Sequence, residues 1–170
     1  MSARDGELVL TLLAALTAVI GLATGRVQRF WTVATLALVG VALGVAWFGD
    51  VDDSHRQLLT VVAGVVAVAG GGLVTTQVFG IVDRASPVRR AGEVLRGGAW
   101  IGALERLAVY VALVAGWGPG LAIVLAVKGL GRYPELRSQE DSGAAERFII
   151  GTFTSVLWAV ACVGLAVLPT

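Results

Sequence analysis

Four long runs of apolar residues, separated by short polar stretches, dominate this chain. They are residues 8–24, 30–48, 58–82 and 148–168. A helix needs about 17–25 mostly apolar residues to cross about 30 Å of hydrocarbon. Each run therefore predicts a transmembrane helix.

Two shorter apolar segments, residues 99–115 and 119–131, lie between the third and the last of these runs. They meet at the sequence Gly-Trp-Gly-Pro-Gly of residues 116–120, which is typical of a tight turn. The first segment is barely long enough to cross, and the second has only seven apolar residues, Leu121 to Val127, before Lys128. Residues 98–131 are thus either two thin spans or a re-entrant hairpin, and both return the chain to the same side.

The predicted fold is all-α: one polytopic bundle of transmembrane helices over residues 1–170, with six membrane-embedded segments and five or six spans. Pro134 and a run of mixed charges predict a polar loop over residues 132–146. In the third segment, Gly70, Gly71 and Gly72 have two interpretations. They form either a face for close helix packing or the hinge of a broken helix.

Positively charged residues are concentrated in every second gap between the apolar segments. Arg56 alone lies in the intervening gaps, and the first apolar run follows a start that is not positively charged. This is the positive-inside pattern, so the basic gaps are predicted to be cytoplasmic, both termini outside, and residues 8–24 a retained span, not a cleaved signal peptide. Ten of the thirteen Lys and Arg residues fall in alternate gaps: Arg26 and Arg29; Arg84, Arg89, Arg90 and Arg96; Lys128, Arg132, Arg137 and Arg147.

Composition supports the membrane assignment and excludes several kinds of site. The 170 residues are 56% hydrophobic with a mean hydropathy of +0.83, whereas soluble domains are about 45–50% apolar. Cys162 is the only cysteine and His55 the only histidine, which excludes an intrachain disulfide, a thiolate cluster and a zinc site built by this chain alone. We predict no cofactor. The Ala, Val, Gly and Arg bias indicates a high-GC bacterium, and the predicted location is the bacterial inner membrane.

Ionisable residues inside the two short segments are the clearest chemical signal. Glu105 lies twelve residues before Trp117 and Lys128 eleven residues after it. Antiparallel helices have equal rise per residue, so the two side chains are predicted to lie at the same depth and to pair, with Arg132 as a competitor for Glu105. A lone charge at that depth costs several kcal/mol, so partners are expected.

Further polar residues are predicted to converge with this pair in one pocket on the cytoplasmic side. The functional interpretation is a site for an anionic solute or lipid head group, bound by the cations and oriented by Glu105. The structural interpretation is an ion-pair network that fixes the hairpin to the bundle. The predicted substrate-binding set is Gln77, Glu105, Arg106, Lys128, Arg132, Tyr133, Arg147 and Thr152.

Three weaker patterns have plain alternatives. The acidic segment Asp50–Arg56 has too few ligands and the wrong spacing for a calcium loop, so a solvated loop is expected. The basic connector over residues 83–97 either sets the topology or also holds anionic lipid. Glycine pairs with i, i+4 spacing indicate close helix packing within one protomer or between two: Gly21 and Gly25, Gly40 and Gly44, Gly98 and Gly102.

Residues 97–160 resemble the membrane core of a family of uncharacterised small bacterial integral membrane proteins. The motifs are Ile101-Gly-x-Leu-Glu-Arg106, then Ala122-Ile-x4-Lys128-Gly-x2-Arg132-Tyr133, then Ala145-Glu-Arg-Phe-Ile-Ile-Gly-Thr152. The resemblance implies no activity. It implies that Glu105, Arg106, Lys128, Arg132, Glu146 and Thr152 form a motif set.

Three functions remain open. The first is binding or transport of a small anionic solute or lipid head group, the second a non-catalytic accessory or assembly subunit of a membrane complex, and the third a lipid-modifying enzyme with Glu105 as general base. The chain has no Ser–His or Cys–His pair and no paired-Asp metal motif, which disfavours the enzyme. Expected partners are membrane lipids, anionic ones included, and a homo-oligomer or larger membrane complex. Nucleic acid is not expected as a partner, because the sequence has no basic face with interleaved aromatic residues outside the predicted spans.

Overall fold

Six α-helices form the part of the chain that the computed structural model describes. They are α1 (Ala3–Thr24), α2 (Gln28–Phe48), α3 (Asp53–Ala85), α4 (Gly98–Val114), α5 (Gly118–Ser138) and α6 (Ser142–Val167). The described residues are 3–24, 28–48, 53–85, 98–138 and 142–167. Arg26 and most of the basic connector, together with the start of the acidic segment, lie outside them.

The helical bundle is confirmed, and three of its helices are long and apolar enough to cross a membrane. These candidate spans are Gln28–Val45, Arg56–Val82 and Ala145–Val167, and the apolar part of α1, Leu8–Ala23, is shorter. Helices α3 and α5 continue past the apolar segments that predicted them. In particular, α5 runs through Pro134 to Ser138, so the expectation of a loop beginning at residue 132 was wrong.

Helix α3 is the centre of the bundle and packs against α1, α4 and α6. Its inward face carries Leu59, Ala63, Val66 and Ala67, all nearly inaccessible to solvent. Helix α5 packs mainly on α4, at the edge of the bundle. The outward faces of the described helices also carry many exposed apolar side chains, as is typical of helices that pack in lipid.

The three glycines of α3 form a packing face in an unbroken helix. A Cβ atom at Gly70 would lie 2.6 Å from the Trp158 ring, and one at Gly71 would overlap the Arg106 side chain. Because α3 is helical through all three glycines, it is not a broken helix there. The glycines make room for two large side chains from α6 and α4, as the packing interpretation predicted.

The turn between α4 and α5 is closed by backbone hydrogen bonds. Gly116 adopts φ +69°, a left-handed conformation that favours glycine. Its N–H donates to Leu113 O at 3.0 Å and that of Trp117 donates to Ala112 O at 2.8 Å. This pair of bonds is the Schellman motif, which ends α4 and turns the chain directly into α5.

The described glycines of two of these pairs differ in their packing, and Gly25 lies outside the described residues. Gly21 of α1 is buried against Trp31 and Leu73, whereas Gly40 and Gly44 of α2 have open space where a Cβ would point. Gly40 lies beside an apolar groove of about 410 Å³ between α2, α3 and α6. Of Gly21, Gly40 and Gly44, only Gly21 is thus used for close packing within the described protomer.

Candidate functional site

The predicted ion pair joins α4 to α5. Lys128 Nζ donates a hydrogen bond to Glu105 Oε2, and the two side chains are 19% and 18% exposed. The short turn at residues 115–117 holds the two helices antiparallel and in the register that the sequence predicts. The pair therefore crosslinks the hairpin between its two arms.

Arg106 extends from the same turn of α4 in another direction, into the bundle. Its side chain is 8% exposed, Nε donates to Val68 O of α3 at 3.0 Å, and Nη1 donates to Ser155 Oγ of α6 at 3.4 Å. The guanidinium has five N–H donors. The glycines of α3 and Gly102 of α4 leave the space that it occupies.

The Arg106 side chain contacts α3 and α6 near the middle of their candidate membrane spans. Its acceptor Val68 is twelve residues from one end of the span Arg56–Val82 and fourteen from the other. Ser155 is ten and twelve residues from the ends of the span Ala145–Val167. At 1.5 Å per residue, Val68 O and the guanidinium beside it are about 18 Å from one end of α3's span and about 21 Å from the other, which is deeper than a pocket on the cytoplasmic side would require.

A small cavity opens between the ion pair and the arginine. Its polar lining consists of Glu105, Arg106, Lys128 and Ser155, and its apolar walls come from α4, α5 and α6. The volume is about 10 Å³, which is close to the minimum that holds one water molecule.

Two cations and one carboxylate face this cavity. Lys128 is paired with Glu105. Arg106 is hydrogen-bonded only to neutral oxygens, so its charge is not cancelled by a second carboxylate among the described residues that line the cavity. The lining therefore carries a net charge of +1 at a depth where ionised groups are expensive and are found with partners.

The predicted residues only partly converge. Glu105, Arg106 and Lys128 line the cavity, but Gln77, Tyr133 and Arg147 do not. Tyr133 is 57% exposed, and the Arg147 guanidinium lies 5.0 Å from the centre of the Phe79 ring on α3. Gln77 is nine residues beyond Val68 on α3, about 13 Å along the axis, and Arg132 is half-buried one turn beyond Lys128.

Helix α6 contributes two hydroxyls on one face. Ser155 lines the cavity and was not among the predicted site residues, although it lies one turn from Thr152, which was. Thr152 Oγ1 is buried and has no hydrogen-bond partner within the described part of the chain. The i, i+3 spacing of the two hydroxyls on an apolar helix is the signal in the sequence that could have identified Ser155.

Comparison of the chain with protein-family models, with curated proteins and with solved structures gave no match. The described residues also contain no group of three or more His, Cys, Asp and Glu side chains arranged to hold a metal ion. The interpretation of the site therefore depends on its own geometry and charge.

Proposed function

We propose that this chain is a multi-pass protein of a bacterial inner membrane that binds or transports a small anionic solute or lipid head group. The observation that carries the proposal is the excess cation at the cavity between α4, α5 and α6. Arg106 is buried at mid-span with neutral acceptors only, while Glu105 is engaged by Lys128. An anion beside Arg106 would cancel the remaining charge.

The neighbouring groups suit this role. Lys128 Nζ and Ser155 Oγ both carry protons to donate, and they face the same cavity as the guanidinium. Helix α5, which forms one wall, packs mainly on α4 and leaves its far side uncovered. A displacement of α5 would enlarge the cavity without disturbing the core around α3.

The proposed function is tested with an anion and lipid panel on the purified protein in detergent. We expect at least one anion or anionic lipid to raise the thermal midpoint Tm of the native chain. The increase should disappear in Arg106→Gln and persist in Arg29→Gln, which removes an exposed cation of α2. A panel without any effect, or an unchanged increase in Arg106→Gln, would contradict the proposal.

We also propose that the α4–α5 hairpin crosses the whole membrane, which gives six spans with both termini outside. Tyr110, one turn before the end of α4, donates from its hydroxyl to Thr60 O at 2.7 Å. Thr60 is only four residues inside the acidic end of the span Arg56–Val82. This contact supports a hairpin whose tip reaches the far side of the bilayer.

Cysteine labelling tests this topology in cells. In a Cys162→Ala background, Trp117→Cys at the exposed hairpin tip should react with a membrane-impermeant maleimide added outside. The matched position Arg29→Cys, exposed at the start of α2, should react only after the membrane is opened. Protection of residue 117 from both sides would indicate a re-entrant hairpin, and reversed labelling would invert the topology.

A further inference from the structure

The excess charge and the size of the cavity together restrict the ligand of the proposed site. With two cations and one carboxylate in the lining, one negative charge makes the site neutral. A dianion would leave a net charge of −1 at the same depth, which is again unfavourable. The charge balance therefore favours a monovalent anion.

The cavity is also too small for most biological anions. Its volume of about 10 Å³ holds an occupant of the size of one water molecule. A phosphate group, with four oxygens around the phosphorus, does not fit without displacement of a helix. The size favours an anion of one atom: chloride is larger than water and requires a small displacement of α5, whereas phosphate requires a larger one.

The depth argues against a lipid head group. Arg106 contacts Val68 and Ser155 near the middle of their spans. Head groups lie at the edge of the hydrocarbon, about 15 Å from its centre. A lipid in its normal position in the bilayer therefore does not place its phosphate at this guanidinium, whereas a small solute that enters between the helices does.

The lining has the mixed character that a halide requires. Three groups with donor protons, the Arg106 guanidinium, the Lys128 ammonium and the Ser155 hydroxyl, face the cavity together with the apolar walls. The single carboxylate, Glu105, is paired with Lys128, which neutralises its charge beside an anion at Arg106. A halide accepts hydrogen bonds from any direction and tolerates apolar contacts on its other sides.

From this combination we infer that the cavity between α4, α5 and α6 binds a halide ion of the chloride class, held by Arg106, Lys128 and Ser155. The inference rests on the proposed function and names the substrate class of the same site.

The test compares sodium salts at constant ionic strength on the native protein in detergent. We expect chloride and bromide to raise Tm saturably, by about 5–10 °C at a hundredfold excess over Kd, relative to gluconate. Phosphate should give no saturable increase. Because the native protein is compared with itself, this arm does not depend on whether a variant folds.

Two variants locate the ion. Ser155→Ala removes one donor without a change of charge and should weaken halide binding at least about tenfold, since it removes a hydrogen bond to a charged group. Thr76→Ala removes an exposed hydroxyl on α3 and should leave Kd unchanged. Equal Kd values for Ser155→Ala and the native chain would overturn the assignment of the cavity.

The outcomes separate the inference from the function on which it rests. If phosphate or an anionic lipid raises Tm through Arg106 and halides do not, the halide inference is overturned and the proposed function stands. If no anion raises Tm, both fail. A halide effect that Arg106→Gln leaves intact would place the ion elsewhere and overturn the inference.

Discussion

Lys128→Met is expected to lower the free energy of unfolding by about 2–4 kcal/mol. Removal of one partner from a buried ion pair costs about 3–5 kcal/mol, and we expect somewhat less because both side chains retain 18–19% exposure. The variant leaves Glu105 without its hydrogen-bonded cation next to apolar walls, and the hydrogen bonds of Arg106 go to Val68 O and Ser155 Oγ, not to this carboxylate. Denaturation of the purified protein in mixed micelles, followed by circular dichroism, measures the loss.

A double-mutant cycle separates the pair from the individual side chains. Glu105→Gln alone should also destabilise, because it leaves two cations at the cavity. The double variant Glu105→Gln/Lys128→Met should recover most of the loss, since no unpaired member of the pair remains. Arg29→Met, an exposed cation, serves as the control and should change stability by less than about 0.5 kcal/mol. Additive single effects would show that the pair is not coupled.

The ion pair was predictable from sequence because it depends on local geometry. Trp117 marks the turn, and equal counting along two antiparallel helices brings Glu105 to Lys128. No information about distant helices is needed. The contacts of Arg106 are different, since Val68 is 38 and Ser155 is 49 residues away in the chain. They depend on the rotation and register of three helices, which hydrophobic periodicity does not specify when every face of a helix is apolar.

The same reason explains why the predicted site residues only partly converge in the structure. Gln77, Tyr133 and Arg147 were grouped with Glu105 because all lie toward the basic ends of their segments. Depth alone does not give the direction of a side chain, and the structure directs Arg147 to the Phe79 ring and Tyr133 outward. Ser155, one turn from Thr152, shares its face of α6 and does reach Arg106.

The lengths of the helices were also predicted only in part. Apolar runs mark the residues that lipid or protein covers, whereas helical hydrogen bonds continue into polar sequence. Helix α3 is 33 residues long although its apolar run is shorter, and α5 continues past Lys128 and Pro134. Proline removes one backbone donor from α5, and the helix nevertheless continues to Ser138.

Gly71→Ala is expected to destabilise the protein more than any other conservative change on α3. The added Cβ would overlap Arg106 Cδ and lie 2.9 Å from Trp158 Cδ1. Both neighbours are held by hydrogen bonds, Arg106 Nε to Val68 O and Trp158 Nε1 to Val66 O, so neither moves freely. Overpacking of this kind costs about 1–3 kcal/mol, which exceeds the gain of about 0.5–1 kcal/mol from alanine in a helix.

Gly80→Ala is the matched control on the same helix, because a Cβ there meets nothing within 4 Å. It should be neutral or stabilising, and the difference in Tm between the two variants in detergent measures the cost of the contact alone.

The variants also link the packing of α3 to the site, since a displaced Arg106 guanidinium would weaken anion binding in Gly71→Ala, whereas Gly80→Ala should leave anion binding unchanged. Equal Tm values for the two variants would contradict the packing of Arg106 and Trp158 against Gly71.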